Sequence, residues 1–187
     1  MTATTLDPRT ALVVIDLQKG IAGYPTVHPM ADVVRNAAVL LDAFRARSLP
    51  VALVHALGVA PGRAEQQRPR GAFPADFAEF LPELKQQPGD HVVAKRTWGA
   101  FTGTGLDAWL KSQGATQVVV IGVATSAGVE STARFAHELG FNVTLAVDAM
   151  TDTNVDAHAN SIARIFPRIG ETATTAEIVA LLDGARA

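Results

Sequence analysis

Short apolar runs alternate with amphipathic segments along most of this chain. The apolar runs are rich in valine, leucine and alanine, which is typical of strands buried on both faces. They cover residues 11–15, 51–57, 91–94, 118–121 and 142–147, with a shorter run at 170–173. Strands and helices in alternation predict a parallel sheet covered by helices on both faces. We therefore expect an α/β fold, a Rossmann-like three-layer α/β/α sandwich with five or six strands, in one domain over residues 1–187.

The segment 30–47 has the clearest helical periodicity. Its apolar positions recur every three or four residues and predict one buried side, made of Val33, Val34, Ala37, Leu40, Leu41 and Phe44. Further helices are expected at 106–113, 153–166 and 175–182. In these, Gly114 ends the first helix and Asp152 caps the start of the second.

The segment 117–134, QVVVIGVATSAGVESTAR, reads as a buried strand, a tight turn and a helix. The first N–H groups of a helix have no partner within it, so such a turn is suited to bind an anion or a developing oxyanion. Gly128 lies in this turn and lets a ligand approach the backbone, because glycine has no Cβ. Ser126 stands where an N-cap serine is expected.

Composition and charge narrow the range of partners. Sixteen basic and eighteen acidic residues give a formal charge of -2, which favours neither nucleic acid nor an anionic membrane. The chain shows no secretory signal and no apolar run long enough for a membrane span, so a cytoplasmic location is expected. The absence of cysteine excludes disulfides and thiolate metal sites. The expected partners are a small-molecule substrate and copies of the chain itself, as a homo-oligomer.

Two other features of the sequence concern ligand binding. The segment 58–79 is rich in turn-forming residues and arginine, and it is expected to form either a lid or a surface loop that packs on a neighbouring subunit. His55 lies within an apolar strand, where a packed, hydrogen-bonded histidine is more common than a ligand. The acidic stretch after 147 lacks the spacing and the glycine of a calcium loop, and no metal is expected in the chain. The glycines at 99, 103 and 105 do not match a dinucleotide fingerprint, so no cofactor is expected.

Three motifs together resemble the isochorismatase-like cysteine hydrolase superfamily. The segment GVATSAGVESTAR is similar to the pattern G-V-x-T-x-x-C-V-x-x-T-A, and Asp16 in VVIDLQ and Lys95 in KRTWGAF match the other two motifs. The resemblance implies that Asp16 and Lys95 are catalytic and that Gly128 occupies the position of the nucleophilic cysteine. It also implies a cis peptide at Val123–Ala124. The implied substrate contacts are Gln18, Trp98, Phe101, Val123 and Ala124.

The missing cysteine leaves several hypotheses for function. Relatives that cleave a vinyl ether also carry glycine at this position, and there the aspartate acts as a general acid while water adds to the resulting cation. Burial would raise the pKa of Asp16 and Lys95 would lower it, and the balance is open at this stage. Ser126 or Ser131 is an alternative nucleophile. A protein of another class, which binds a small metabolite without reaction, is a further alternative.

Overall fold

The computed structural model describes residues 3–60, 62–65 and 72–184. Six strands form one parallel sheet in the order β3-β2-β1-β4-β5-β6, which confirms the predicted sheet. The strands are β1 (Thr10–Ile15), β2 (Val51–Ala56), β3 (His91–Lys95), β4 (Gln117–Val123), β5 (Asn142–Thr151) and β6 (Glu171–Ala173). The order reverses direction between β1 and β4, the place where open α/β sheets hold their ligands.

Helices cover both faces of this sheet, which gives the three layers. The helices are α1 (Lys19–Ala22), α2 (Met30–Arg45), α3 (Leu106–Ser112), α4 (Glu130–Glu138), α5 (Val155–Asn160) and α6 (Thr175–Gly184). Alternate residues of β1 point to opposite faces: Leu12 packs with α2 and α6, while Val13 packs with α3 and α4. Every residue of β1 and β4 is buried, because each of these strands has helices on both sides.

The link between β4 and α4 is the part of the fold that builds the site. We call residues Thr125–Val129 the first turn; it is a π-helical turn in which the Val129 N–H donates to the Ala124 carbonyl at 3.1 Å. Gly122, just before it, has φ +115°, and a Cβ there would lie 2.0 Å from the Ile15 carbonyl oxygen. Only glycine therefore allows β4 to approach the end of β1, where Asp16 begins.

Several boundaries differ from those predicted. Strand β5 continues to Thr151, and α5 ends at Asn160, followed by a π-helical turn rather than one helix to residue 166. The predicted cap at Asp152 is wrong: Asn154 is the N-cap and accepts a hydrogen bond from the Ala157 N–H at 2.9 Å. The prediction of a long segment without helix or strand holds for 58–60, 62–65 and 72–79, while residues 61 and 66–71 lie outside the described residues.

Candidate active site

Asp16 and Lys95 form a buried ion pair at the carboxyl edge of the sheet. Lys95 ends β3 and Asp16 follows β1, so the lysine side chain reaches across the end of β2 that lies between them. The Lys95 Nζ donates to Asp16 Oδ2 at 2.7 Å and to the Thr97 carbonyl oxygen at 3.1 Å. Asp16 is 6% exposed and Lys95 is 3% exposed, so each charge depends on its partners rather than on water.

The carboxyl group of Asp16 has a raised pKa, which suits it to proton transfer. Burial raises its pKa to about 6, and the charge and hydrogen bond of Lys95, with the charge of His55, lower it only in part. The balance between burial and Lys95 is therefore decided in favour of burial. Its second oxygen, Oδ1, is buried and has no hydrogen-bond partner among the described residues. A buried polar atom without a partner is uncommon in a folded protein and makes this oxygen a candidate functional atom.

Gly128 lies directly against this pair. A Cβ placed on Gly128 would stand 3.4 Å from Asp16 Oδ2, 2.9 Å from the Ile15 Cγ2 methyl and 3.2 Å from the Val123 carbonyl oxygen. Asp16 itself has φ +54°, a left-handed backbone that a non-glycine residue seldom adopts outside special positions. The structure thus brings Asp16, Lys95 and Gly128 into one place, although 112 positions of the sequence separate the first from the last.

The two aromatic residues of the TWGAF motif have different surroundings. Trp98 is 65% exposed, so its indole is available to contact a ligand. Phe101 is only 8% exposed and packs in the core, with its ring centroid 6.3 Å from that of Phe141. Phe101 therefore occupies a core position, which is common for apolar aromatic residues, and its contact with a substrate stays a prediction.

Gln18 is also used by the fold. Its side chain is fully buried, and the amide Nε2 donates to the carbonyl oxygens of Ala56 at 3.0 Å and Phe77 at 2.8 Å. The Ala56 N–H donates to Gln18 Oε1 at 2.7 Å. These three hydrogen bonds tie the end of β1 to the end of β2 and to the segment at 77. They use both amide protons of Gln18 and leave one acceptor site on Oε1, so the substrate contact at Gln18 stays a prediction.

The last two predicted contacts lie at the end of β4. Val123 is buried in the core, and Ala124 is half-buried against it. The peptide bond between them is cis, as the resemblance implied. His55 was expected to be a packed core histidine, and this is confirmed: its Nδ1 lies 2.7 Å from the Ala78 carbonyl oxygen and its ring stacks on Phe80.

A polar cluster on the β5 side of the first turn was not foreseen. The Thr125 hydroxyl lies 2.9 Å from Nδ1 of His158, whose ring contacts that of His28 at 4.8 Å. Burial and the charge of His28 lower the pKa of His158, while Asp152 raises it. Ser126 donates its N–H and its hydroxyl to Asp152 Oδ2 at 2.7 and 2.8 Å. Ser126 is therefore inside the first turn rather than at the N-cap, and its hydroxyl is used to hold that turn.

Two further findings concern metals and membranes. Within 3–60, 62–65 and 72–184, no group of three or more His, Cys, Asp or Glu side chains is arranged to hold a metal ion. Over the same residues, none of the helices combines the length and the apolar character needed to cross a bilayer.

Comparisons with known proteins agree with this geometry. Residues 10–177 match the Isochorismatase domain. This chain belongs to the isochorismatase family. It is similar to the isochorismatase family protein YwoC of Bacillus subtilis, with 42% identity over 178 residues that cover 91% of this chain and 93% of YwoC. A solved isochorismatase family structure from Burkholderia thailandensis has a TM-score of 0.92 and 42% identity, and covers 96% of this chain and 98% of its own.

A relative with a named activity lies further away in the family. The streptothricin hydrolase of Streptomyces noursei is 34% identical over 149 residues, which cover 79% of this chain and 51% of that enzyme. The protein is thus an isochorismatase-family hydrolase, with a nearly continuous match to the family fold. The family supports a small-molecule substrate. The homo-oligomer and the cytoplasmic location stay predictions.

Proposed function

We propose that this family member hydrolyses a small organic substrate without a cysteine nucleophile, with Asp16 as the acid–base group and Lys95 as its partner. The observation that carries the proposal is the unpartnered, buried Oδ1 of Asp16 beside the first turn. A carboxyl group of this kind, with a pKa near the working pH, is suited to proton transfer in catalysis.

The two oxygens of the Asp16 carboxyl group have different roles, because Lys95 binds only Oδ2. Its ammonium group is committed to Oδ2, so the proton to be transferred is carried on Oδ1. The same ammonium supplies the countercharge when Asp16 loses its proton, which keeps the ionised state accessible in a buried site. Lys95 is held by the Thr97 carbonyl and therefore does not need to move during the cycle.

The glycine at position 128 restricts which hydrolytic mechanisms are possible. Its position beside Asp16 Oδ2 is the place where a thiol would hand its proton to the carboxylate, and there is no side chain there to attack the substrate. An acyl-enzyme at residue 128 is therefore excluded, and water must supply the new bond to oxygen. For a vinyl ether, Asp16 protonates the carbon–carbon double bond, water adds to the resulting cation, and a proton of that water returns to Asp16. The hemiketal or hemiacetal that forms then breaks its bond to the ether oxygen, which gives a carbonyl compound and releases the alcohol.

The proposed substrate is small and largely apolar near its reacting group. Ala124 at the end of β4 and the exposed indole of Trp98 are the contacts that we propose from the predicted set. The hydrolytic activity in the name of the streptothricin hydrolase relative supports bond cleavage by water on this fold.

The direct test is a turnover screen followed by mass spectrometry. The purified protein is incubated with a panel of small amides, esters and vinyl ethers, each with an enzyme-free blank. Turnover at an enzyme-like rate, with one oxygen from ¹⁸O-labelled water in the product and no mass increase on the protein after a rapid acid quench during turnover, supports a hydrolase that works without a nucleophile on the chain. Release of product only in the first turnover, with a mass increase on the protein, contradicts it, because that result requires a covalent intermediate.

A non-catalytic binding protein is the second candidate, and the glycine at position 128 favours it. The Asp16–Lys95 pair lies beside Gly128, yet position 128 has no side chain that could attack a substrate. Native mass spectrometry after gentle purification separates the two candidates. A retained and chemically unchanged metabolite, together with no turnover of that same compound, supports the binding protein, whereas its conversion supports the hydrolase.

The pH dependence of turnover is expected to report on Asp16. If Asp16 is the general acid, kcat falls as the pH rises above about 6, because its pKa of about 6 leaves about one-tenth of the protein protonated at pH 7. The sign is reversed for a general base, which loses activity below that pH. A pH–rate profile from pH 4 to 9 on the substrate found in the screen checks this. A flat profile across that range contradicts an acid–base role for Asp16.

A further inference from the structure

Thr132 joins the two segments that build the site. It lies in α4, is fully buried, and its hydroxyl donates to the Gly128 carbonyl oxygen at 2.6 Å. The same hydroxyl accepts from the Ala100 N–H at 3.0 Å. Gly128 belongs to the first turn, and Ala100 belongs to the segment that begins with Lys95. One side chain therefore links the position of the missing nucleophile to the segment of the catalytic lysine.

This link closes a ring of contacts around the site. The Lys95 ammonium donates to Asp16, and further along the same segment the Ala100 N–H donates to the Thr132 hydroxyl. That hydroxyl donates to the Gly128 carbonyl, and a Cβ placed on Gly128 would lie 3.4 Å from Asp16 Oδ2. A Cβ placed on Gly99 would lie 3.4 Å from Ser131, so the segment passes close to α4 at this point. Trp98 is exposed. It lies in this segment between Lys95, which bonds to Asp16, and Ala100, which bonds to Thr132.

We propose that Thr132 is a positioning residue, which acts through hydrogen bonds to Gly128 and Ala100 to hold the Lys95 segment closed over Asp16. This inference rests on the proposed function of Asp16 and Lys95 and extends it by one residue. Thr132 does not touch the reacting atoms. Its effect is to keep water away from the Asp16 carboxyl group, while the Lys95 ammonium is held in place by its own hydrogen bond to the Thr97 carbonyl.

A hydroxyl group is required at this position because one atom must donate and accept at once. Valine has nearly the same shape but removes both the hydrogen bond to the Gly128 carbonyl and the acceptor of the Ala100 N–H. Serine keeps both hydrogen bonds and loses only a methyl group. The pair Thr132→Val and Thr132→Ser therefore separates the hydroxyl from the volume of the side chain.

The test measures the Asp16 carboxyl group itself and needs no substrate. The pKa of Asp16 is determined by ¹³C NMR of the side-chain carboxyl carbon in the wild type, Thr132→Val and Thr132→Ser. Because burial is the largest cause of the raised pKa, opening of the segment lets water in and is expected to lower it by about one unit, a tenfold change in proton affinity. Thr132→Ser is expected to keep the wild-type value.

Thr144→Val is the matched control. Thr144 is another fully buried threonine, in β5, whose hydroxyl accepts from Gln117 Nε2 at 3.0 Å, at the opposite end of the strand from the site. Removal of its hydroxyl is expected to destabilise the fold without changing the pKa of Asp16. An equal change in Thr144→Val, or an unchanged pKa in a folded Thr132→Val, overturns the proposal and leaves Thr132 as an ordinary core residue.

A second measurement covers the case in which Thr132→Val does not fold. Hydrogen exchange of the Ala100 amide in the wild type is expected to be as slow as that of the β1 amides, because the Thr132 hydroxyl holds it. Exchange at the rate of an exposed loop amide contradicts the link. Since neither readout depends on turnover, a failure of this proposal is distinct from a failure of the hydrolase proposal.

Discussion

Replacement of Asp16 by asparagine is expected to lower kcat by about 10²–10⁴-fold, the range that a lost general acid–base group typically accounts for. Asparagine has nearly the same shape and can still accept a hydrogen bond from the Lys95 ammonium. It has no proton that it can give to a substrate or take from water. The substitution therefore removes the chemistry at Oδ1 and keeps the contact at Oδ2.

The fold of Asp16→Asn is expected to be retained, because two effects on stability oppose each other. The cost of burying an ionised carboxyl group disappears, while Lys95 keeps the Thr97 carbonyl but loses its countercharge, so the variant is expected to fold with a lower free energy of unfolding. Circular dichroism and a urea transition check this. Asp32→Asn, which removes an exposed carboxylate paired with Arg35, is the control and is expected to keep wild-type turnover. Undiminished activity in Asp16→Asn contradicts the proposed mechanism.

The sheet and its layers could be predicted from the sequence because the signals were local. Each buried strand is a continuous apolar run between turn formers, and α2 carries its buried residues at helical spacing. The position of Asp16 and Lys95 also follows from local signals, since each comes at the carboxyl end of a parallel strand and such ends lie on one edge of the sheet.

The roles of Gln18 and Phe101 could not be read in the same way. Gln18 is recruited by the backbone of Ala56 and Phe77, and Phe101 by Phe141, so each role depends on a partner distant in the sequence. A motif places a residue near the site but does not say whether its side chain points to the ligand or to the core. The exposed fraction of the side chain, 65% for Trp98 and 8% for Phe101, distinguishes these two residues of one motif.

The polar cluster on the β5 side of the first turn also depends on residues that are distant in the sequence. Asp152 bonds to Ser126 from 26 positions away, and His158 bonds to Thr125 from 33 positions away. Helix-cap statistics favoured Asp152 as the cap of the following helix because they consider only neighbours in sequence. In the structure, the parallel pairing of β4 with β5 puts Val123 beside Thr151, and this brings Asp152 to the first turn instead.

Introduction of a thiol by Gly128→Cys is expected to create a reactive cysteine. The new Cβ lies 3.4 Å from Asp16 Oδ2, so the thiol can pass its proton to that carboxylate with the Lys95 ammonium as countercharge. We expect the pKa of this thiol to lie below the usual value of about 8.5, so that more of it is ionised and alkylation at pH 7 is faster than that of a free thiol by a factor of about three. The rate of reaction with iodoacetamide, followed by mass spectrometry, measures this directly.

The same substitution is expected to reduce stability, since the Cβ would stand 2.9 Å from the Ile15 methyl and one of them must shift. Overpacking of this kind costs about 1–3 kcal/mol, and Gly128→Ala, which has the Cβ but no thiol, measures that cost alone. Because the chain has no cysteine, Ser112→Cys provides a single exposed thiol as the reference for the alkylation rate. Equal rates for the two thiols would show that position 128 is not placed to activate a nucleophile, and the proposal that Gly128 stands at the nucleophile's position would fail with it.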